Sequence, residues 1–213
     1  MPDRPAPNTH ASAIERIEHA AGRLFAERGF DSVSMSDVAR EAGVCKANVF
    51  HHFANKQALY ESVIVDACAR VGDRMDRTLA ADGGGAEQIA HFLSWYRDYL
   101  RAHPATARLL LRELTGNPDL AESGGPVFPL LVRILETLVA HISAGRDRGV
   151  FRREVNPTVV ASLMLAVTLF NSQTEHLRSH MTAWSDVGDD AYVPLLTDVL
   201  LHGVLAQRVE TSQ

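Results

Sequence analysis

The stretch SMSDVAREAGVCKANVFHHFANK, residues 34–56, constrains this chain more than any other. It predicts two short helices, 35–41 and 46–53, joined by a corner at Ala42-Gly43-Val44. Ser34 followed three residues later by Asp37 is a helix-start signal, because hydroxyl and carboxylate each satisfy a backbone N–H that the first turn leaves unpaired. Gly43 suits the corner, since a tight helix-to-helix turn often needs a positive φ that only glycine adopts cheaply. Val38, Ala39, Val44, Val49 and Phe53 supply the faces that lock the helices together. Lys46, Ala47, Asn48, Phe50 and His51 are left facing outward.

The chain has two lysines, Lys46 and Lys56, and each opens a helix. A helix start carries positive partial charge and disfavours a cation. It is also where phosphates bind, through free backbone N–H groups and nearby cations. Lysines at both positions make sense if an anion arrives from outside; solvated surface lysines are the alternative. The net charge of −5 argues against indiscriminate coating of nucleic acid. The deficit is not evenly spread. Residues 1–60 hold seven Lys/Arg against seven Asp/Glu, and the remainder holds fourteen against nineteen. Between residues 38 and 56, Arg40, Lys46 and Lys56 face Glu41 alone, with His51 and His52 beside them. A local basic spot on an acidic body suits contact with DNA at one face.

At 213 residues the chain suffices for one large or two small domains. No apolar run is expected to span a bilayer, the longest being 159–170, interrupted by Ser162 and Thr168. The first ten residues, MPDRPAPNTH, lack the apolar core of a secretory signal and predict a disordered lead. Cys45 and Cys68 form neither a metal spacing nor a disulfide framework. A cytoplasmic protein is expected.

Helical periodicity dominates the whole length. A first helix over 12–28 carries Ile14, Ile17, Ala21, Leu24 and Phe25 and ends at Gly29. With the two that follow, it makes a small head. Asn55 predicts the cap of a fourth helix, 56–80, with Tyr60, Val63, Ile64, Ala67 and Val71 inward. Asp82-Gly83-Gly84-Gly85 follows as a mobile loop. Further helices are expected at 87–102, 105–114, 127–145, 157–180 (opened by Asn156-Pro157) and 192–209. The last carries Leu196, Val199, Leu200, Gly203 and Val204 at offsets of one helix stripe. The fold class is therefore all-α with about nine helices. Its expected parts are a lead (1–10), a helix-turn-helix domain (11–55), an effector-binding and dimerisation domain (56–209) and a tail (210–213).

The segment GFDSVSMSDVAREAGVCKANVFHHFANKQALYESV, with AAGRLFAERGF before it, resembles the signature of TetR/AcrR-like transcriptional regulators. The later GRDRGVFRREVNP resembles a connector that recurs in them ahead of a protomer-pairing helix. The resemblance implies a cytoplasmic homodimer on a pseudo-palindromic duplex operator. The helix beginning at Lys46 would lie in the major groove, and the last two long helices of each protomer would form the interface. Residue by residue, it implies that Ser34 and Ser36 touch backbone phosphate. Lys46, Ala47 and Asn48 would face bases, Phe50 and His51 would lie against backbone and groove wall, and Lys56 would grip phosphate. Leu163 and Val167 would join the stripe from Leu196 to Val204 in pairing protomers; alternatively, that stripe packs within one chain. Cys45 stands where Ser or Thr is usual, which removes a good N-cap, and Gln57 replaces a commoner acidic residue.

In the body, Trp95, Tyr96 and Tyr99 cluster on one helix, His141 interrupts another, and Asn171, Thr174 and Glu175 follow the apolar half of a third. Aromatic walls with few polar groups describe a small-molecule pocket for a lipophilic or aromatic effector; ordinary core and surface is the alternative. His176 and His180, with Glu175 beside them, have the spacing of two metal ligands but lack a third, and they also suit a helix end. Cys45 is either a redox-sensitive thiol at a helix start or a plain small side chain. No phosphate loop, nucleophile elbow or zinc-protease motif occurs, so neither enzyme nor cofactor is expected. The function expected is a DNA-binding regulator, a repressor released by a small effector. An activator of the same fold, or an enzyme or carrier that happens to hold a helix-turn-helix, is the alternative.

Overall fold

A computed structural model describes residues 12–79, 85–116, 122, 125–178, 180, 182, 191, 195, 198 and 199. These residues form eight helices: α1 (Ala13–Arg28), α2 (Met35–Ala42), α3 (Lys46–His52), α4 (Lys56–Leu79), α5 (Ala86–Ala102), α6 (Pro104–Gly116), α7 (Val127–Asp147) and α8 (Pro157–Arg178). The chain divides after Ile64 into two compact units.

The first unit holds α1 to α3 and the opening turns of α4. Ser12 caps α1 through a reciprocal pair with Glu15. Ile17, Ala21, Leu24 and Phe25 are buried, as the stripe requires, whereas Ile14 is exposed. Gly43 ends α2 with φ 67° and ψ 35°. The chain turns there because Val44 N–H reaches back to the Ala39 carbonyl at 3.0 Å, a closure that needs a left-handed residue. Val38, Ala39, Val49 and Phe53 are buried in the corner. Ala58 N–H finds Asn55 Oδ1 at 2.8 Å, so α4 has its cap. The division falls inside α4 because its first turns belong to this core. Tyr60 packs edge-on against Phe25 and Phe30, and a Cβ on Gly22 would lie 3.2 Å from Val63 Cγ1.

The second unit is built around α8, which packs against α5, α6 and α7. Ala161, Met164, Thr168, Leu169 and Asn171 make its buried face, opposite Ile89, Phe92 and Leu100 of α5 and Leu138 and Ile142 of α7 in the same core. After α7, Val150 N–H bonds the Gly145 carbonyl at 2.9 Å, and the turn passes through Gly149 at φ 77°. Asn156 Oδ1 then accepts from the Thr158 and Val159 amides at 3.0 and 3.2 Å, with Pro157 at the first helical position.

One sequence expectation is corrected. α7, not 159–170, is the most apolar long segment, and by length and composition it could cross a membrane. The polar residues inside it hid this, yet those same residues tie it to the bundle. Arg133 reaches Asp73 and Asp76 at 3.3 and 3.0 Å, and His141 meets the Gly85 carbonyl at 3.0 Å. The 1–10 lead, residues 82–84, most of the expected ninth helix (with Leu196, Leu200, Gly203 and Val204) and the 210–213 tail lie outside the described residues.

α3 begins at Cys45 with no side-chain hydrogen bond to its first turn. Cys45→Ser supplies that acceptor and is expected to stabilise the first unit by about 1 kcal/mol. A urea denaturation midpoint that fails to rise would show that the turn does not accept a cap.

Candidate nucleic-acid interface

The start of α2 is held by a closed set of bonds. Ser34 Oγ accepts the Asp37 N–H at 3.1 Å. The Asp37 carboxylate in turn accepts the Ser34 N–H at 3.1 Å and the Ser34 hydroxyl at 2.6 Å. Arg40 pairs with the same carboxylate. The Ser34 hydroxyl and backbone bonds, then Arg40, hold the Asp37 carboxyl down at about 2, against an ordinary 3.8. The hydroxyl hydrogen of Ser34 is thereby committed to Asp37. Ser36, beside it, is exposed, and the amides of Met35 and Ser36 belong to the first turn, where N–H groups have no intrahelical acceptor.

α3 buries Val49 at its centre and exposes Lys46, Ala47, Phe50 and His51. Phe50 is 46% exposed, a large apolar side chain in the open beside a cation: Lys46 Nζ lies 5.6 Å from its ring centroid. Asn48 departs from the outward position expected of it. It is half-buried, and its Oδ1 is shielded from water without a hydrogen-bond partner. His51 and His52 stand edge to face at 5.0 Å.

The basic spot expected from Arg40, Lys46 and Lys56 is smaller than its residue count. Arg40 is paired with Asp37, and Arg23 with Glu41. Lys56 turns back into the unit, its Nζ 2.9 Å from the Phe30 carbonyl oxygen. Among the described residues Lys46 pairs with no carboxylate. The role of Phe30 was not visible from its position before the motif; an aromatic at 30 with Tyr60 and a lysine at 56 is the signal that could have revealed it.

The body candidates do not gather at one place. Trp95 stacks on Tyr99 at 5.2 Å, with the Arg74 guanidinium 5.6 Å from the indole. Tyr96 instead turns into the core and stacks on Phe92 at 5.8 Å. Burial, then the neighbouring Cys68 and Tyr99, pushes its phenol well above the ordinary range. Burial, then the Asp66 charge, pushes Tyr99 up to about 12. His141 meets Gly85 at the opposite end of α5, about 21 Å along the helix from Tyr99 at 1.5 Å per residue. Glu175 holds Arg101 at 3.1 Å, and Asn171 is buried.

Two polar residues near the aromatic group had not been singled out. Cys68 is buried, its thiol pushed up to about 12 by burial and then by the charge of Glu113. Glu113 is itself buried on α6, and a lone acid inside the apolar run of α6 is the sequence signal for it. Among the described residues no three metal-binding side chains converge, and His176 and His180 are both exposed.

Comparison with known proteins places this geometry. A profile of bacterial regulatory proteins, tetR family, matches residues 17–63. A profile of the tetracyclin repressor-like C-terminal domain matches residues 86–191. The HTH-type transcriptional regulator EthR of Mycolicibacterium smegmatis is 27% identical over 191 residues, spanning 86% of this chain and 82% of that protein. The fold is shared with the fatty acid degradation regulator FadR from Bacillus halodurans, with a TM-score of 0.71, 19% identity, and coverage of 93% of this chain and 97% of that one. FadR from Bacillus subtilis, solved in complex with stearoyl-CoA, gives a TM-score of 0.72 at 18% identity, covering 89% and 98%. The ketosteroid regulator KstR2 of Mycobacterium tuberculosis gives 0.69 at 17%, covering 96% and 100%.

The α2 cap has a direct signature. In a carbon-detected NMR titration the Asp37 carboxyl is expected to titrate near pH 2. The depressed value means that the cap stabilises the fold fully above about pH 4 and that this contribution fades as pH falls towards 2. In Ser34→Ala the titration should move back towards 3.8. An unmoved midpoint would show that Ser34 does not hold the carboxylate.

Proposed function

The chain belongs to the tetR family of bacterial regulatory proteins, and from that premise we propose that it is a cytoplasmic transcriptional repressor, a homodimer whose operator is released by a lipophilic effector. The family is one of transcriptional regulators, not enzymes. The observation that carries the DNA contact is the face of α3. Lys46, Ala47, Phe50 and His51 are exposed together beside a rigid corner, with Lys46 unpaired by any carboxylate among the described residues. In this reading Lys46 and Ala47 meet base edges, and Phe50 and His51 lie on the groove wall. Asn48 can rotate to give its unsatisfied carbonyl and its amine to a base. A phosphate at the start of α2 is held by the amides of Met35 and Ser36 and the Ser36 hydroxyl, with Ser34 keeping the cap.

Specific affinity needs two heads roughly 34–36 Å apart on one face of the duplex. Support for pairing comes from α8. Val159, Leu163, Phe170 and Leu177 are 55, 48, 60 and 49% exposed, at intervals of one to two helical turns. Water-exposed apolar residues in such a row form a surface suited to a second helix pair. Val167 is half-buried beside the row, and Val199, further along the chain, is 67% exposed. For the effector, Phe92, Trp95, Tyr96 and Tyr99 favour an apolar or aromatic ligand, with Cys68 and Glu113 as the polar groups nearby. Of the proteins that share the fold, one is a fatty acid degradation regulator, one was solved with stearoyl-CoA and one is a ketosteroid regulator, so long-chain acyl thioesters and steroids are the compounds to try first.

Two outcomes are expected. In electrophoretic retardation of the duplex that the protein selects from a random pool, Lys46→Ala should weaken binding at least tenfold and narrow the gap between the selected and a scrambled duplex. An acyl thioester or steroid should release the wild-type complex; equal affinity for scrambled DNA would refute the regulator. Separately, Leu163→Glu combined with Phe170→Glu should convert a dimer to a monomer by light scattering. A dimer that persists would move the interface elsewhere.

A further inference from the structure

Lys56 is the second of the two lysines, and its surroundings differ from those of Lys46. Its Nζ donates to the Phe30 carbonyl at 2.9 Å and lies 3.4 Å from the Asp31 carbonyl oxygen. It also sits 4.3 Å from the centroid of the Phe30 ring. That ring stacks on Phe25 at 5.8 Å and meets Tyr60 edge-on at 5.2 Å, while Phe25 and Tyr60 meet edge-on at 5.3 Å. The ammonium therefore rests on a three-ring cluster built from α1, the α1–α2 connector and α4. The Phe30 carbonyl takes a second bond, from the Val33 N–H at 3.3 Å, which closes the turn leading to the Ser34 cap. Carbonyl oxygens and an aromatic face all supply negative potential, and a half-buried cation gains more from them than an exposed one.

We infer that Lys56 is a positioning residue for DNA recognition: it fastens the 30–33 turn to the aromatic cluster, and so sets where α2 starts, rather than giving its charge to a phosphate. The inference rests on the DNA-binding reading above. The two carbonyls engage two of the three ammonium N–H groups and the ring lies against it, so a lysine that swung out to a phosphate would leave the turn without its anchor. A lysine that stays in place acts on DNA only through the Met35 and Ser36 amides that the turn aims. The two roles separate thermodynamically. A phosphate contact releases counterions and contributes to the salt slope, whereas a positioning contact changes affinity at constant slope.

The test uses the full chain, the duplex it selects from a random pool, and a scrambled duplex. Lys56→Met keeps the apolar stem on the rings and removes the ammonium. Phe30→Leu keeps an apolar residue and removes the ring. Each is expected to weaken specific binding roughly tenfold with the salt slope unchanged and the scrambled-duplex affinity unaltered. The double variant should lose less than the sum of the two single losses, because the ammonium–ring contact is common to both. Assays run below the unfolding temperature of each variant, so a purely structural loss would leave the ratio of specific to non-specific affinity unmoved. If Lys56→Met does not fold, Phe30→Leu carries the test alone. A slope that falls by about 2 for the dimer in Lys56→Met, with Phe30→Leu normal, overturns the inference and leaves the regulator standing. Failure to select any duplex overturns both.

Discussion

The arrangement of the first unit depends on three rings in mutual contact. Phe25 comes from α1, Phe30 from the connector and Tyr60 from α4, with centroids between 5.2 and 5.8 Å apart. Two helices of this unit, α2 and α3, have eight and seven residues and are marginal on their own. Their positions must come from packing. The ring cluster supplies a fixed point on one side of the connector, and the Ser34–Asp37 cap supplies another at its end. Between them the chain has little freedom, so α2 starts at a defined place, and the left-handed turn at Gly43 then sets where α3 starts.

The same economy shapes the charges. A head with several arginines and lysines would ordinarily be taken as broadly basic, yet three of its cations already have partners. Arg40 completes the α2 cap, Arg23 pairs with Glu41, and Lys56 holds carbonyls. Pairs like these contribute little stability at an exposed surface. They do remove unspecific attraction for a polyanion, because a paired cation offers less field to a phosphate. On the corner itself, attraction is left to Lys46 and to the helix-start amides. A protein with net charge −5 that must find one duplex sequence among many benefits from that concentration.

Local signals made most of the fold legible. The Ser34–Asp37 and Asn156-Pro157 starts and the Gly43 and Gly29 ends are all set by near neighbours in sequence, and each is found where the pattern puts it. What sequence could not carry was direction. Lys46 and Lys56 have the same residue type and the same helix-start position, but only tertiary contact decides that one faces out and the other turns onto Phe30. Likewise Trp95, Tyr96 and Tyr99 form one aromatic cluster on paper. At about 100° per residue, Tyr96 swings into the core with Phe92 while Trp95 and Tyr99 share a flank. His141 has the sequence pattern of a polar residue on an apolar helix, and its ring meets the Gly85 carbonyl at the start of α5.

α8 carries apolar residues on two faces of its first half. Its inner face, with Ala161, Met164 and Leu169, fills the second unit's core; its outer row, with Val159, Leu163 and Phe170, remains in water. A helix that packs on one side only would carry polar residues on the other, because exposing leucine and phenylalanine yields nothing to a monomer and favours aggregation. The outer row is therefore the part of α8 that the core of the second unit does not account for. Inside the second unit, by contrast, α4 meets α5 through a contact that is only half-buried, with the Arg74 guanidinium 5.6 Å from the Trp95 indole, and packing of that kind can take two arrangements at small cost.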